Sequence, residues 1–343
     1  MHGKTVIHIG PYQSKGGISS VMKSLTETQE NIWNTKILTT HVEAGTIIQK
    51  YRIYRSAKKK LKKYINSDQI DIVHIHATHS ASWWRKMSYL NICIQRKVPV
   101  IIHIHSGRFD EFCNKFGGLC GQIVRKYLSK KNVKTVLLEK RWLGKLNKWI
   151  PANSVVINNP YDIKIKKYYP KKTEINILML ARNSKGKGHS FAIEIIKFLI
   201  ELGIDVKLTL TGIEKRHLSD DFDGKIIAKG WVNDNEIKQL MKDADFLISP
   251  SEFEGSSISV INSIVCGLPC IVSPASSETI GISDLIVGLD DPKQWAERII
   301  KLSEREVYHK LLKKLKKESF RYERAEISKI WLKTYNEILN NSY

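Results

Sequence analysis

Short runs of β-branched and aliphatic residues recur along this chain, separated by segments whose apolar residues return every three or four positions. One set comprises Thr5-Val6-Ile7-His8-Ile9, Asp71-Ile72-Val73-His74-Ile75-His76, residues 98–105, Thr135-Val136-Leu137-Leu138 and Val155-Val156-Ile157. After the turn cluster Asn158-Asn159-Pro160 the scheme restarts, with strands expected at 175–180, 206–211, 226–227, 244–248 and 270–272. Helices are expected at about 19–29, 190–202, 235–242 and 256–265, and the charged stretch from about 293 to 343 reads as helical. Strands alternating with helical patterns predict parallel sheets covered by helices on both faces. The expected fold is therefore α/β, with two doubly wound, Rossmann-like domains, 1–160 and 161–322, facing across a cleft. Ligands of such sheets sit beyond the carboxyl ends of the strands.

A chain of 343 residues is long enough for two cores of this kind. It has no apolar run of about 18 residues, so no membrane-spanning helix is expected. Met1-His2-Gly3-Lys4 leads straight into the first strand, which leaves no room for a signal peptide. The 5 cysteines, odd in number and without framework spacing, fit a reducing cytoplasm. Cys113 and Cys120 lack a second Cys/His pair at zinc spacing and read as buried or idle thiols. The charge is more telling. Residues 1–160 hold 27 Lys and Arg against 8 Asp and Glu, a net +19, which leaves only +3 of the total +22 for the rest of the chain. Solubility alone does not segregate charge in this way, so the first half is expected to meet something anionic.

Residues 249–273 carry the strongest local signal. Pro250-Ser251 follows an apolar strand, and Glu252, Glu254 and Gly255 then lead into a segment with Ile258, Ile261 and Val265 on one helical face. Cys266-Gly267-Leu268-Pro269 stops the helix before the next strand, Cys270-Ile271-Val272. A strand that delivers a carboxylate and a glycine to a helix N-terminus builds an anion site, with the N–H groups of Gly255, Ser256 and Ser257 directed outward. Ahead of it, Arg182, Lys185 and Lys187 with Gly186 and Gly188 form a basic, pliable loop after the strand 175–180. Two fixed cations at a strand end stabilise a departing phosphate without a metal. Taken alone, such a loop is also an ordinary solvated turn.

These segments resemble the nucleotide-sugar site of retaining glycosyltransferases with the GT-B fold, of the family 4 or group 1 type that includes polysaccharide-building enzymes. The family pattern runs Pro-Ser-x-x-Glu-Gly, then a helix with a second Glu eight positions after the first, then Gly-x-Pro. Glu254 and Gly267-Leu268-Pro269 fit it, whereas Asn262 stands where the second Glu is usual. Arg182 and Lys187-Gly188 match the family's Arg, four residues, then Lys-Gly. The resemblance implies a donor diphosphate along Arg182, Lys187 and the amides after Gly255. It places Ser251, Glu254 and His105 toward the transferred sugar and Asn262 on the ribose, with Ile258 among the substrate-binding residues. Gly16-Gly17, between the first strand and first helix, resembles the family's glycine loop near the donor phosphate. Residues 323–343 would form a terminal helix crossing back to the first domain, as in relatives, where Trp331 and Tyr335 could pack.

Histidines crowd two strand ends: His74, His76 and His79, then His103 and His105. Alternation puts His103 and His105 on one face, with His105 nearer the carboxyl end. His105-Ser106-Gly107 resembles the family's His-Gly loop, whose histidine lies beside the donor sugar. His74 and His103 read as core residues with satisfied nitrogens. A metal at these histidines is the rival reading, but no carboxylate recurs at matching spacing. Asp221-Phe222-Asp223 mimics a metal-binding D-x-D yet sits in a polar loop and reads as surface turn. No metal and no cofactor is expected; the nucleotide sugar is a substrate.

The basic stretches, residues 58–65 and 125–149, suit an anionic membrane surface, the second bringing Leu128, Val133, Trp142, Leu146 and Trp149. A solvated helix face accounts for the same charge. No nucleic-acid module is recognisable, so nucleic acid is not expected as a partner. The expected function is transfer of a hexosyl unit from a nucleotide-diphosphate sugar to a saccharide acceptor, lipid-linked by the family's habit, with retention and without metal. The enzyme would be cytoplasmic and peripheral at the inner membrane face. A sugar-nucleotide epimerase of the same fold and a non-catalytic nucleotide-sugar-binding protein are the alternatives.

Overall fold

A computed structural model of the chain describes residues 4–29, 33–42, 45–161, 173–218 and 223–341. It divides into two compact units, Met1–Pro160 with Arg324–Tyr343, and Tyr161–Glu323.

The first unit runs β1 (Thr5–Gly10), α1 (Gly17–Gln29), β2 (Asn34–Thr39), α2 (Ile47–Asn66), β3 (Ile72–Ala77), α3 (Ala81–Gln95), β4 (Val100–Ile104), α4 (Phe109–Asn114), α5 (Leu119–Leu128), β5 (Val133–Leu137), α6 (Arg141–Lys145) and β6 (Val155–Val156). Its six strands are parallel, in the order β2-β1-β3-β4-β5-β6. β1, β3 and β4 are buried at every position. Helices cover both faces, so these strands are continuous apolar runs rather than alternating ones. Their polar exceptions are histidines, and the register sets His8 beside His74 and His76 beside His103.

The second unit runs β7 (Ile175–Met179), α7 (His189–Glu201), β8 (Val206–Thr211), β9 (Ile226–Lys229), α8 (Asp234–Asp243), β10 (Phe246–Ser249), α9 (Ile258–Cys266), β11 (Cys270–Val272), α10 (Ser277–Ile280), α11 (Pro292–Ser303) and α12 (Arg305–Ser319). Its parallel sheet has the order β11-β10-β7-β8-β9. The strand order reverses between β7 and β10, so the loops leaving these two strands flank the crevice where doubly wound sheets bind ligands. The last helix, α13 (Arg324–Asn341), belongs to the first unit, where Trp331 and Tyr335 are fully buried.

The structure moves several expected elements. β10 opens at Phe246 rather than at 244, since Ala244 still caps α8, its N–H donating to the Leu240 carbonyl. α1 opens at Gly17 and α9 at Ile258, each two residues from the expected start. The stretch from 293 to 343 is helical as expected, in three helices, α11, α12 and α13. The basic segment 125–149 is not one amphipathic face: it spans the end of α5, β5 and α6. Leu128, Val133, Trp142 and Leu146 are buried in the first core, with Trp149 packed against it, so they present no apolar face to a lipid surface. All five cysteines, Cys113 and Cys120 included, are free and buried. Of Asp221-Phe222-Asp223, the first two residues lie outside the described residues. No described helix is long and apolar enough to cross a membrane.

Candidate functional site

Two loops at the β7/β10 switch point are locked together by backbone. The Glu252 N–H donates to the Gly186 carbonyl at 2.8 Å. Gly186 (φ +80°) and Gly188 (φ +82°) are both left-handed, and a Cβ on Gly188 would stand 2.2 Å from the Pro250 carbonyl oxygen. Only glycine meets both requirements, backbone angle and close approach. The loop 180–188 is anchored from β8 as well: the Ala181 N–H donates to the Thr211 hydroxyl at 3.1 Å. The His189 ring, first in α7, has Nε2 3.1 Å from the Thr211 carbonyl. Burial lowers the His189 pKa, the Thr211 carbonyl opposes this and Lys187 adds to the depression. A neutral ring donating from Nε2 follows.

This framework brings Lys187 and Glu254 together, with Nζ 2.6 Å from Oε1 and side chains 23% and 13% exposed. The pair stands where two helices begin. The N-caps, Gly188 for α7 and Ser257 for α9, make no side-chain cap hydrogen bond. First-turn N–H groups have no intrahelical acceptor, and the helix dipole leaves them partly positive. Because α9 opens at Ile258, its first-turn amides are those of Ile258, Ser259 and Val260; Gly255, Ser256 and Ser257 form the approach. The Ser257 hydroxyl lies 3.1 Å from that of Ser259. Ser251 is buried, and its carbonyl accepts a hydrogen bond from the Ser273 hydroxyl.

Two buried polar atoms here have no hydrogen-bond partner: Ser256 Oγ and Asn262 Oδ1. Buried polar atoms are ordinarily satisfied, so an unmet pair in the approach and body of one helix marks a place for ligand hydroxyls or phosphate oxygens. Arg182 lies over an aromatic ring. Its guanidinium lies 5.8 Å from the ring of Trp231, a half-exposed side chain in the loop after β9. The structure thus joins Lys187 to Glu254 and sets Arg182 beside Trp231. Sequence reasoning missed Trp231, Thr211 and His189; His189 directly follows Lys187-Gly188, and that adjacency was the available signal.

Gly16, Gly17 and His105 belong to the first unit. Gly16 has φ +126° and Gly17 is the first residue of α1. His105, half-buried just past β4, has Nε2 3.0 Å from His76 Nδ1. His74 has both ring nitrogens engaged, by the Tyr335 hydroxyl at 2.8 Å and by His103 Nδ1 at 3.3 Å. His103 departs from the expectation of satisfied nitrogens: its Nε2 is buried without a partner. His79 lies outside this stack, with Nδ1 2.6 Å from the Ser106 hydroxyl.

The family model described as glycosyl transferases group 1 matches residues 174–305, the stretch that contains Arg182, Lys187, Glu254 and Asn262. Across 332 residues the chain is 22% identical to a 41.2 kDa protein of the cps region of Klebsiella pneumoniae, covering 89% of this chain and 90% of that one. It is 22% identical over 239 residues to the UDP-Gal:alpha-D-GlcNAc-diphosphoundecaprenol alpha-1,3-galactosyltransferase of Escherichia coli, covering 62% of this chain and 60% of that one. In fold it resembles the sucrose-phosphate synthase of Thermosynechococcus elongatus, with a TM-score of 0.79, 14% identity and coverage of 98% and 99%. Two parallel α/β sheets and this likeness give the chain the GT-B fold, and its residues 174–305 match the group 1 glycosyl transferase family.

Proposed function

We propose that the protein transfers a hexosyl unit from a nucleotide-diphosphate sugar to a lipid-linked saccharide in surface polysaccharide synthesis, retaining the anomeric configuration and using no metal in the transfer. The observation that carries the reading is the Lys187–Glu254 pair between two helix starts that lack side-chain caps. Amides and dipoles of both helices favour a diphosphate there, and Lys187 adds a full charge. The unpartnered Asn262 carbonyl is the acceptor for a ribose hydroxyl, and Ser256 for a phosphate oxygen or hydroxyl. Within the second unit, Glu254 faces hydroxyls of the transferred sugar; within the first, His105 and the Gly16-Gly17 loop are assigned to substrate as well.

In the transfer, the acceptor hydroxyl oxygen forms a bond to the anomeric carbon while the bond from that carbon to the phosphate oxygen breaks. The departing phosphate takes the acceptor proton, on the same face of the sugar, and Lys187 with the helix amides stabilises the charge it gains. Arg182, stacked beside Trp231, adds positive potential to the same loop. The galactosyltransferase relative, named for a diphosphoundecaprenol-linked sugar, supports the acceptor class, and the relative from a cps region supports a role in polysaccharide synthesis. The exposed basic surface of α2 supports docking on an anionic membrane, from the cytoplasmic side where nucleotide sugars are made. UDP-galactose is the first donor to try.

Lys187→Ala is expected to lower kcat by about 100-fold and Arg182→Ala by at least about 10-fold, with donor turnover followed by release of nucleoside diphosphate. Turnover of both variants within threefold of wild type removes the leaving-group role. Proton NMR of the product checks retention, since an inverted anomeric coupling excludes the front-face route.

A further inference from the structure

The transfer chemistry uses His105 and leaves the rest of the histidine stack without a role. His8, His74, His76 and His103 come from three neighbouring strands, and His105 follows the last of them. His76, His103 and His105 each offer a ring nitrogen within 4.8 Å of the other two. His76 Nδ1 and His105 Nε2 are 3.0 Å apart. In a tetrahedral site with metal–nitrogen bonds of about 2.0–2.1 Å, neighbouring ligand nitrogens stand about 3.3–3.4 Å apart. That pair therefore has to open only slightly to receive an ion.

Most of the remaining ring nitrogens are engaged by neighbours. His103 Nδ1 lies 3.3 Å from His74 Nε2, and His74 Nδ1 lies 2.8 Å from the Tyr335 hydroxyl. His76 Nε2 lies 3.1 Å from His8 Nδ1. One set of tautomers satisfies all three contacts: His103 donates to His74, His74 donates to Tyr335 and His76 donates to His8. The lone pairs left over are on His103 Nε2 and His76 Nδ1, with His105 Nε2 beside the latter. His103 Nε2 is the telling atom, because it is buried on a ring 1% exposed and has no hydrogen-bond partner. An imidazole whose second nitrogen is fixed by an outer group is the ordinary arrangement of a metal ligand.

We propose that His76, His103 and His105 form a three-histidine site for a divalent transition metal, of which zinc is the first candidate, with His74 and His8 as the positioning residues that fix the ligand tautomers. Imidazole ligands suit zinc and its neighbours rather than magnesium or calcium. Three nitrogens leave a further coordination position, and half-buried His105 marks the side from which an ion enters. This goes beyond the transferase reading, and its test needs neither donor nor acceptor.

The full-length protein is stripped with a chelator and titrated with Co²⁺ alone. The expected result is a visible d–d band of four- or five-coordinate cobalt that saturates at one ion per chain and is lost on adding Zn²⁺. His103→Phe, which keeps an aromatic ring in the core, and His105→Ala, at the accessible end, are expected to weaken Co²⁺ binding by roughly 10-fold or more. His79→Ala, outside the stack, should bind as wild type. Absence of the band in wild type overturns the site. Undiminished binding by folded His105→Ala and His103→Phe proteins, with melting curves to establish folding, overturns it too.

Discussion

Lys86 shows how much one buried charge can govern. It is 5% exposed on α3, its ammonium donates to the Thr40 hydroxyl, and Nζ lies 5.9 Å from the Tyr89 ring. Burial, with a smaller contribution from Arg85, brings its pKa from 10.5 down to about 7. An unfolded lysine keeps its proton to about pH 10.4. Above pH 7 the unfolded chain therefore binds more protons at this site than the folded one, so stability rises with pH. Cys93 and Cys113 act in the opposite sense, since burial raises both to about 12 while unfolded thiols ionise near about 8.5. The clear window is thus about pH 7 to 8.5. There, unfolding free energy is expected to climb by up to about 1.4 kcal/mol per pH unit. Lys86→Met should raise stability at pH 7 and flatten the slope, as read from guanidinium unfolding at several pH values. An equal slope in wild type and variant would assign it to other groups.

At the scale of elements, α13 acts as a lid on the first core. Trp331, fully buried, has its ring centroid 4.7 Å from that of His74 and 5.1 Å from that of His103. Truncating such a side chain removes transfer energy and leaves a cavity, so Trp331→Ala is expected to cost about 3–5 kcal/mol in denaturant unfolding. A cost below about 1 kcal/mol would mean that α13 lies on the core without supporting it. What the sequence made legible follows from the same packing. β1, β3 and β4 stand out because both faces are covered and every position is buried. β2 escaped notice: as an edge strand carrying Asn34, Thr35 and Lys36 it buries only Leu38 among its six positions. The segment 125–149 misled because its apolar residues serve a helix end, a strand and a short helix in turn. Lys187 and Glu254 were readable because the residues around them match the family's pattern. The histidine stack was not, because its contacts are set by register between strands, which spacing within one strand does not encode.

At the scale of the whole molecule, the excess charge lies almost wholly within residues 1–160, and α2 displays much of it. Ala57 and Leu61 anchor that helix in the core. Arg52, Arg55, Lys59, Lys60, Lys62 and Lys63 are exposed. Ile47, Ile48 and Tyr51, at its start, are 86%, 64% and 56% exposed. Exposed aliphatic side chains beside a basic run suit an interface where anionic headgroups meet acyl chains. Each basic residue near such a surface contributes about 1 kcal/mol, and the attraction fades within a Debye length. Full-length protein should therefore sediment with vesicles containing anionic lipid, not with neutral ones, and release as salt rises. Exchanging Lys59, Lys60, Lys62 and Lys63 for Gln should weaken this binding by about 100- to 1000-fold. Ile47→Ser with Ile48→Ser should weaken it less and leave its salt dependence intact. Equal binding to neutral vesicles would remove the electrostatic argument. Stronger retention on oligonucleotides than on anionic vesicles would assign the charge of the first unit to a nucleic acid instead.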